Sequence, residues 1–267
     1  MAEARDGTVG KALDVLDRVA AAGGPVRFSD LLEDGPYPKA TLYRLLQTLT
    51  SQGMLSHDAE LGTYTLGVRL VRLAHKAWSQ ASLAPVAHEW LDRLSRETGE
   101  AVHLAQLDGA QVLYVDKVNT ALRVDMFSAT GRVGPSYCTG LGKAMLAFLP
   151  DAELDQALGQ QSYHRFTDAT LTSPEALRAE LAHIREAGVA YDREEHEPGI
   201  ICIATPILSR GGRILGGLSI TSTTARRSLD DLSQLAPLLL DTRAKIESDI
   251  HAWRFPEDGP RLRTVPT

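Results

Sequence analysis

The chain has 267 residues, 43% of them hydrophobic and 23% charged, with 34 acidic against 28 basic side chains for a net charge of −6. That length suits one large domain or two moderate ones, and the composition is that of a folded globular protein rather than a disordered or fibrous one. No apolar run reaches the roughly 18 residues of a membrane span, no basic-then-apolar leader opens the chain, and Cys138 and Cys202 stand far apart, so a cytoplasmic protein with free thiols and no membrane partner is expected.

The charge is not spread evenly. Residues 1–78 hold nine basic and nine acidic side chains, so the whole negative excess lies beyond residue 78. Within the first part the acids crowd into 30–34 and 58–60, and the window 35–57 has none. An anion can approach there, whatever the net charge of the whole.

In chain order, Val9, Ala12, Leu13, Leu16, Val19 and Ala20 recur at helical spacing until Gly23, Gly24 and Pro25 stop the run. A short second helix is expected from Ser29 as N-cap to Gly35-Pro36. A third opens after Pro38, with Leu42, Leu45, Leu46 and Leu49 on one stripe, and ends at Gly53. Its other face presents Lys39, Thr41, Tyr43, Arg44, Gln47 and Thr48, side chains able to reach phosphates and base edges. Met54 to Leu66 then alternates around Asp58-Ala59-Glu60-Leu61-Gly62 as a β-hairpin. Three helices and a hairpin make a winged helix-turn-helix, whose third helix enters the major groove of double-stranded DNA. A merely solvated polar face on a helical subdomain is the plainer alternative. Two positive charges on the helix are modest, so useful affinity requires a second copy of the chain.

The stretch "KATLYRLLQTLTSQGMLSHD", followed by Tyr64, Leu66 and Gly67 of the wing, resembles the IclR family of bacterial transcription regulators. Ala40 departs from that family's hydroxyl pair, which implies one phosphate contact fewer at the helix start.

Two helical patterns fill 68–98, carrying Trp78 and Trp90, with Pro85 in a first turn. Burial of the tryptophans against a second subunit and packing on the following domain both account for them. The resemblance favours a homodimer or homotetramer.

Strands are expected at 101–107, 111–118 and 122–127, helices at 139–149, 151–158 and 174–187, strands again at 189–193, 201–208 and 214–223, and one amphipathic helix over 229–253. An antiparallel sheet with helices around it makes the chain α+β. The markers "TGLGKAMLAFLP", "YDREEHEPGIICIATPI" and "GGLSITS" extend the resemblance over nearly the whole chain and imply a GAF-like effector-binding domain. The resulting layout is a DNA-binding domain at 1–78, a connector helix at 79–98, the effector-binding domain at 99–255 and a loose tail at 256–267.

Gly140 and Gly142 flank a helix start where a carboxylate would meet free backbone N–H groups. The resemblance places Gly140, Leu141, Asp192, Cys202, Ser219 and Thr221 around the effector. Met126, Phe127, Leu141 and Met145 are apolar side chains available to close the other side. Read alone, Cys202 is a small buried hydrophobe, Ser219 and Thr221 are ordinary strand alternation, and Asp192 belongs to a solvated acidic loop. Hydroxyl, thiol and backbone donors suit a small organic acid, with a 2-oxo acid such as glyoxylate or pyruvate favoured over an aromatic acid. A hydrolytic enzyme would need Cys202 beside His103 or His196, but an apolar strand is a poor place for a thiolate, so no catalytic residue is expected. The eight histidines and two cysteines show no HxxxH or CxxC spacing, so neither a metal nor a cofactor is expected.

Overall fold

The computed structural model describes residues 7–81, 83–119 and 128–253. The strand expected at 122–127, with Met126 and Phe127, the tail at 256–267 and the side chain of Trp78 lie outside the described residues. The chain divides into two compact units, Met1–Gln80 and Ala81–Thr267.

The first unit contains α1 (Thr8–Ala21), β1 (Val26–Arg27), α2 (Phe28–Glu33), α3 (Lys39–Ser51), β2 (Leu55–Asp58), β3 (Thr63–Leu66) and most of α4 (Val68–Ala81). Leu42, Leu45, Leu46 and Leu49 of α3 are buried against Val15, Leu16 and Val19 of α1 and against Leu55 and Tyr64 of the hairpin. Each buried leucine contributes about 2 kcal/mol, so this stripe fixes which face of α3 stays outside. Gly53, at φ 68°, stops α3 in the left-handed region that favours glycine.

Two local expectations for this unit need correction. The hairpin is part of a three-stranded sheet in the order β1-β3-β2, because Val26 pairs with Tyr64 and Arg27 with Thr63. That pairing moves the N-cap of α2 two residues earlier, from Ser29 to Arg27, so the helix starts at Phe28. Asp30, not Ser29, supports the helix start: its carboxylate accepts the Arg27 N–H at 3.2 Å, while the Ser29 hydroxyl donates to the same carboxylate at 3.0 Å.

The second unit contains α5 (Ala84–Thr98), β4 (Ala101–Asp108), β5 (Gln111–Val118), β6 (Val133–Pro135), α6 (Gly140–Leu146), α7 (Asp151–Gly159), α8 (Pro174–Ala187), β7 (Ala190–Arg193), β8 (Ile200–Leu208), β9 (Ile214–Thr223), α9 (Leu229–Ser233) and α10 (Ala236–Trp253). Its described strands form an antiparallel sheet in the order β6-β5-β4-β9-β8-β7. Alternation along the strands supplies both faces. Ala105, Val112, Ala190 and Ala204 pack under α6, α7 and α8, whereas Val102, Leu104, Ile203, Leu218 and Ile220 pack against α5, α9 and α10. The result is the GAF-like α+β arrangement, with a helical layer on each face of the sheet.

The expected helix over 229–253 is broken at Gln234 and Leu235. Pro237 has no N–H to continue the ladder, so the chain restarts as α10 with proline in its first turn. For Trp90 the structure shows packing on the following domain. Its indole N–H donates to Asp249 on α10 at 2.7 Å and Lys245 lies 5.4 Å over its ring, so it packs within its own unit. Glu100, 2% exposed, accepts from Arg227 at 2.7 Å and Arg226 at 3.2 Å, tying the end of α5 to the segment after β9. Among the described residues no helix is long and apolar enough to cross a membrane.

Helix α6 is buried along its entire length, and a Cβ at Gly142 would fall 2.2 Å from the Ser136 carbonyl oxygen. Because that neighbour is backbone, Gly142→Ala is expected to cost about 2–3 kcal/mol, seen as a lower urea midpoint. An unchanged midpoint would contradict this packing.

Candidate functional site

On α3, Tyr43, Arg44, Gln47 and Thr48 are exposed opposite the leucine stripe, Lys39 is exposed in the first turn, and Thr41 is half-buried. The Thr48 hydroxyl donates to the Arg44 carbonyl at 2.9 Å, which leaves its oxygen as an acceptor only. Tyr43 meets Phe28 edge-on, with ring centroids 6.5 Å apart. Lys39, Tyr43 and Gln47 border a concavity of about 730 Å³ completed by Phe28, His57 and Tyr64. The N-cap of α3 is Pro38, which makes no side-chain cap; the Thr41 N–H donates to the Pro38 carbonyl at 2.9 Å, which leaves the N–H groups of Lys39 and Ala40 to an anion. At the wing tip, the Asp58 carboxylate accepts from the Glu60 and Leu61 N–H groups at 2.9 and 3.0 Å and is thereby spent on the turn.

In the second unit, Gly140, Leu141, Asp192, Cys202, Ser219 and Thr221 all line one cavity of about 40 Å³. Sheet register brings the strand residues together: Asp192 stands opposite Cys202, Cys202 opposite Thr221, and Ala204 opposite Ser219. Gly140 closes the cavity from above the sheet, where a Cβ would lie 2.5 Å from the Cys202 sulfur. Thr139 caps α6 by accepting the Gly142 N–H at 3.2 Å. Of the apolar residues expected there, Leu141 lines the cavity, whereas Met145 is buried in the core, 3.2 Å from where a Cβ on Gly217 would sit.

The sequence reading missed several lining residues. His103 stands opposite Ser219 on β4, Tyr114 comes from β5, and Ser128, His196 and Glu197 come from loops. A histidine inside the apolar run "AVHLAQL" was the available signal, because a buried imidazole needs partners. It has them: Nδ1 is 3.1 Å from the Thr221 hydroxyl and Nε2 is 2.8 Å from the Ser128 hydroxyl. Burial, with the Lys117 charge adding to it, pushes His103 down to about 3, so the ring is neutral.

The loop between β7 and β8 is held from several sides. Glu194 sits at φ 63°, a left-handed conformation that costs a non-glycine residue about 1–2 kcal/mol. Its carboxylate accepts the Gly199 N–H at 2.7 Å and its carbonyl accepts the Thr167 hydroxyl at 2.7 Å, which offset that cost. Glu195 is 3% exposed and pairs with Lys143 of α6, itself fully buried. The Thr170 hydroxyl donates to the Glu195 carbonyl at 2.7 Å. These bonds carry His196 and Glu197 to the cavity, and His196 lies against Phe166 with ring centroids 4.6 Å apart.

The electrostatics are those of a buried polar pocket. Burial raises Asp192 to about 7, although the Glu195 N–H donated to it at 2.8 Å pulls the other way. Burial, with the Asp192 charge adding to it, pushes both thiols well up, so Cys202 holds its proton and is no nucleophile at neutral pH. Among the described residues no group of histidine, cysteine and carboxylate side chains is arranged to hold a metal ion.

Comparison with known proteins agrees with this geometry. The family model described as "Bacterial transcriptional regulator IclR C-terminal" matches residues 75–248, and that of the "IclR helix-turn-helix domain" matches residues 8–59. The HTH-type transcriptional regulator XynR of Escherichia coli is 36% identical over 219 residues, covering 82% of this chain and 87% of that protein. The crystal structure of Thermotoga maritima IclR superposes with a TM-score of 0.73 at 29% identity, covering 91% of this chain and 98% of that one. An IclR homolog from Microbacterium hydrocarbonoxydans, solved in complex with 4-hydroxybenzoate, shares the fold with a TM-score of 0.80 at 24% identity, covering 92% of this chain and 100% of that one. The chain thus belongs to the IclR family: it is a DNA-binding transcription regulator with an effector-binding C-terminal domain, and not an enzyme.

Proposed function

We propose that this regulator senses a short 2-oxo acid of about two to four carbons, such as glyoxylate or pyruvate, in the cavity beneath α6, and that occupancy changes its affinity for the operator. The observation that carries this reading is the cavity's size. At about 40 Å³ it is far below the several hundred Å³ of a pocket that encloses a drug-sized molecule. Its hydroxyls on Ser128, Ser219 and Thr221 suit the carboxylate and oxo groups of such an acid.

Operator contacts fall to the outer face of α3. Arg44 and Gln47 have the donor patterns for base edges, and Lys39, Thr41, Tyr43 and Thr48 suit phosphates. With two cations on that helix, a dimer or tetramer supplies the remaining affinity. Exposed apolar side chains on α4, Val68 and Val71, and on α1, Val9 and Leu13, support such pairing, each being more than half exposed. A tenfold change in operator affinity requires a coupling of only about 1.4 kcal/mol between the effector and the DNA.

Calorimetric titration with glyoxylate, pyruvate and 4-hydroxybenzoate tests the ligand: heat from the short acids is expected, and heat from the aromatic acid alone would overturn the reading. Arg44→Ala is expected to weaken operator binding at least about tenfold in a gel-shift assay and to spare acid binding. Gly140→Ala is expected to do the reverse, because its Cβ enters the cavity floor at Cys202. Loss of both functions in both variants would contradict this division of labour.

A further inference from the structure

None of the described residues lining the C-terminal cavity is a lysine or an arginine. Among those described residues an entering acid meets no ammonium or guanidinium group. It meets Asp192, only 6% exposed, whose Oδ1 accepts the Glu195 N–H at 2.8 Å. Among the described residues the other oxygen, Oδ2, makes no hydrogen bond. Lys143 offers no substitute, since its ammonium is paired with Glu195 and lies 3.6 Å from Glu180. Two carboxylates in contact inside a buried cavity repel each other strongly, and one proton between them turns that repulsion into a charge-assisted hydrogen bond.

We propose that the site takes up its carboxylic acid together with one proton, shared between the ligand carboxylate and the carboxyl group of Asp192. This rests on the reading of the cavity as an acid site and adds a regulation to it, since effector affinity then depends on pH.

The groups around Asp192 single it out as the proton's seat. From its own loop come Glu195, paired with Lys143 of α6, and His196 and Glu197. Burial pushes His196 down, and the nearby Glu197 charge opposes that shift. Cys202 of β8, Cys138 before α6 and Tyr114 of β5 are all pushed up by burial, and His103 of β4 is pushed down to about 3, so these four are neutral around neutral pH. Asp192 is raised to about 7 in the free site, and sharing its proton with the ligand carboxylate raises it further, well past the pH of the test, so that binding draws in a proton. Its value rises when the acid binds, so affinity is full below the free-site value and falls as pH rises above it.

Calorimetric titration of the full chain at about pH 8, in two buffers of different protonation enthalpy, counts that proton for glyoxylate, pyruvate and 4-hydroxybenzoate. Uptake close to one proton per acid is expected, with affinity falling about tenfold per pH unit on the alkaline side. Asp192→Asn is expected to lose the uptake and bind with flat pH dependence, its carboxamide donating without titrating, while His196→Gln keeps the uptake. Uptake that persists in Asp192→Asn, or is lost in His196→Gln, overturns the assignment to Asp192. Glyoxylate or pyruvate bound with no proton exchange overturns the shared proton and leaves the short-acid reading intact. Proton uptake with 4-hydroxybenzoate alone does the opposite, and failure of all three acids to bind overturns both.

Discussion

The C-terminal unit depends on how closely α6 lies on the sheet. Gly140 and Gly142 on the helix and Gly217 on β9 leave no room for side chains: added Cβ atoms would fall 2.5 Å from the Cys202 sulfur, 2.2 Å from the Ser136 carbonyl oxygen and 3.0 Å from Leu141. That approach has two consequences. It places the start of α6 directly over β7, β8 and β9, so the space left at their ends is small. It also buries Lys143 completely, and a buried ammonium requires a partner. Glu195 is that partner, and through it the loop bearing His196 and Glu197 is tied to the helix. Shape and charge of the cavity therefore follow from three glycines and one ion pair.

What could be read from the sequence follows from the range of the interactions involved. The leucine stripe of α3 and its glycine stop are local signals, and the structure places that helix where the sequence does. Strand pairing is not local. Nothing along the chain says that His103 stands opposite Ser219, or that Val26 and Arg27 form a third strand of the wing and so shift the start of α2. The six effector residues expected from family resemblance do line one cavity, yet Tyr114, Ser128 and Glu197 beside them come from separate turns of the chain that only the sheet brings together. The break at Pro237 was legible and was missed, because the apolar pattern continues through it. Trp90 shows the limit of arguing from a lone large side chain: its partner, Asp249, is 159 residues away.

Charge and packing divide the molecule into two tasks. The acid-free helix α3 turns a polar face outward from a leucine core, while the acidic excess belongs to the chain beyond residue 78. Helix α5, which follows the first unit in sequence, is packed into the core of the second through Leu91 and Leu94, and Glu100 at its end is held by Arg226 and Arg227 after β9. The segment that follows β9, the strand of Ser219 and Thr221, is thus bonded to the residues at the end of α5, the first helix of the second unit. Coupling between effector and operator requires an element with two states that both ligands bias.

Coupling between two binding sites is reciprocal, and that gives the most direct test. The affinity for the acid would be measured by titration in the absence and in the presence of saturating operator DNA, alongside the affinity for operator with and without the acid. Both pairs of constants are expected to differ by the same factor, in the same direction. An acid that binds equally well with and without operator would contradict a sensing domain coupled to DNA.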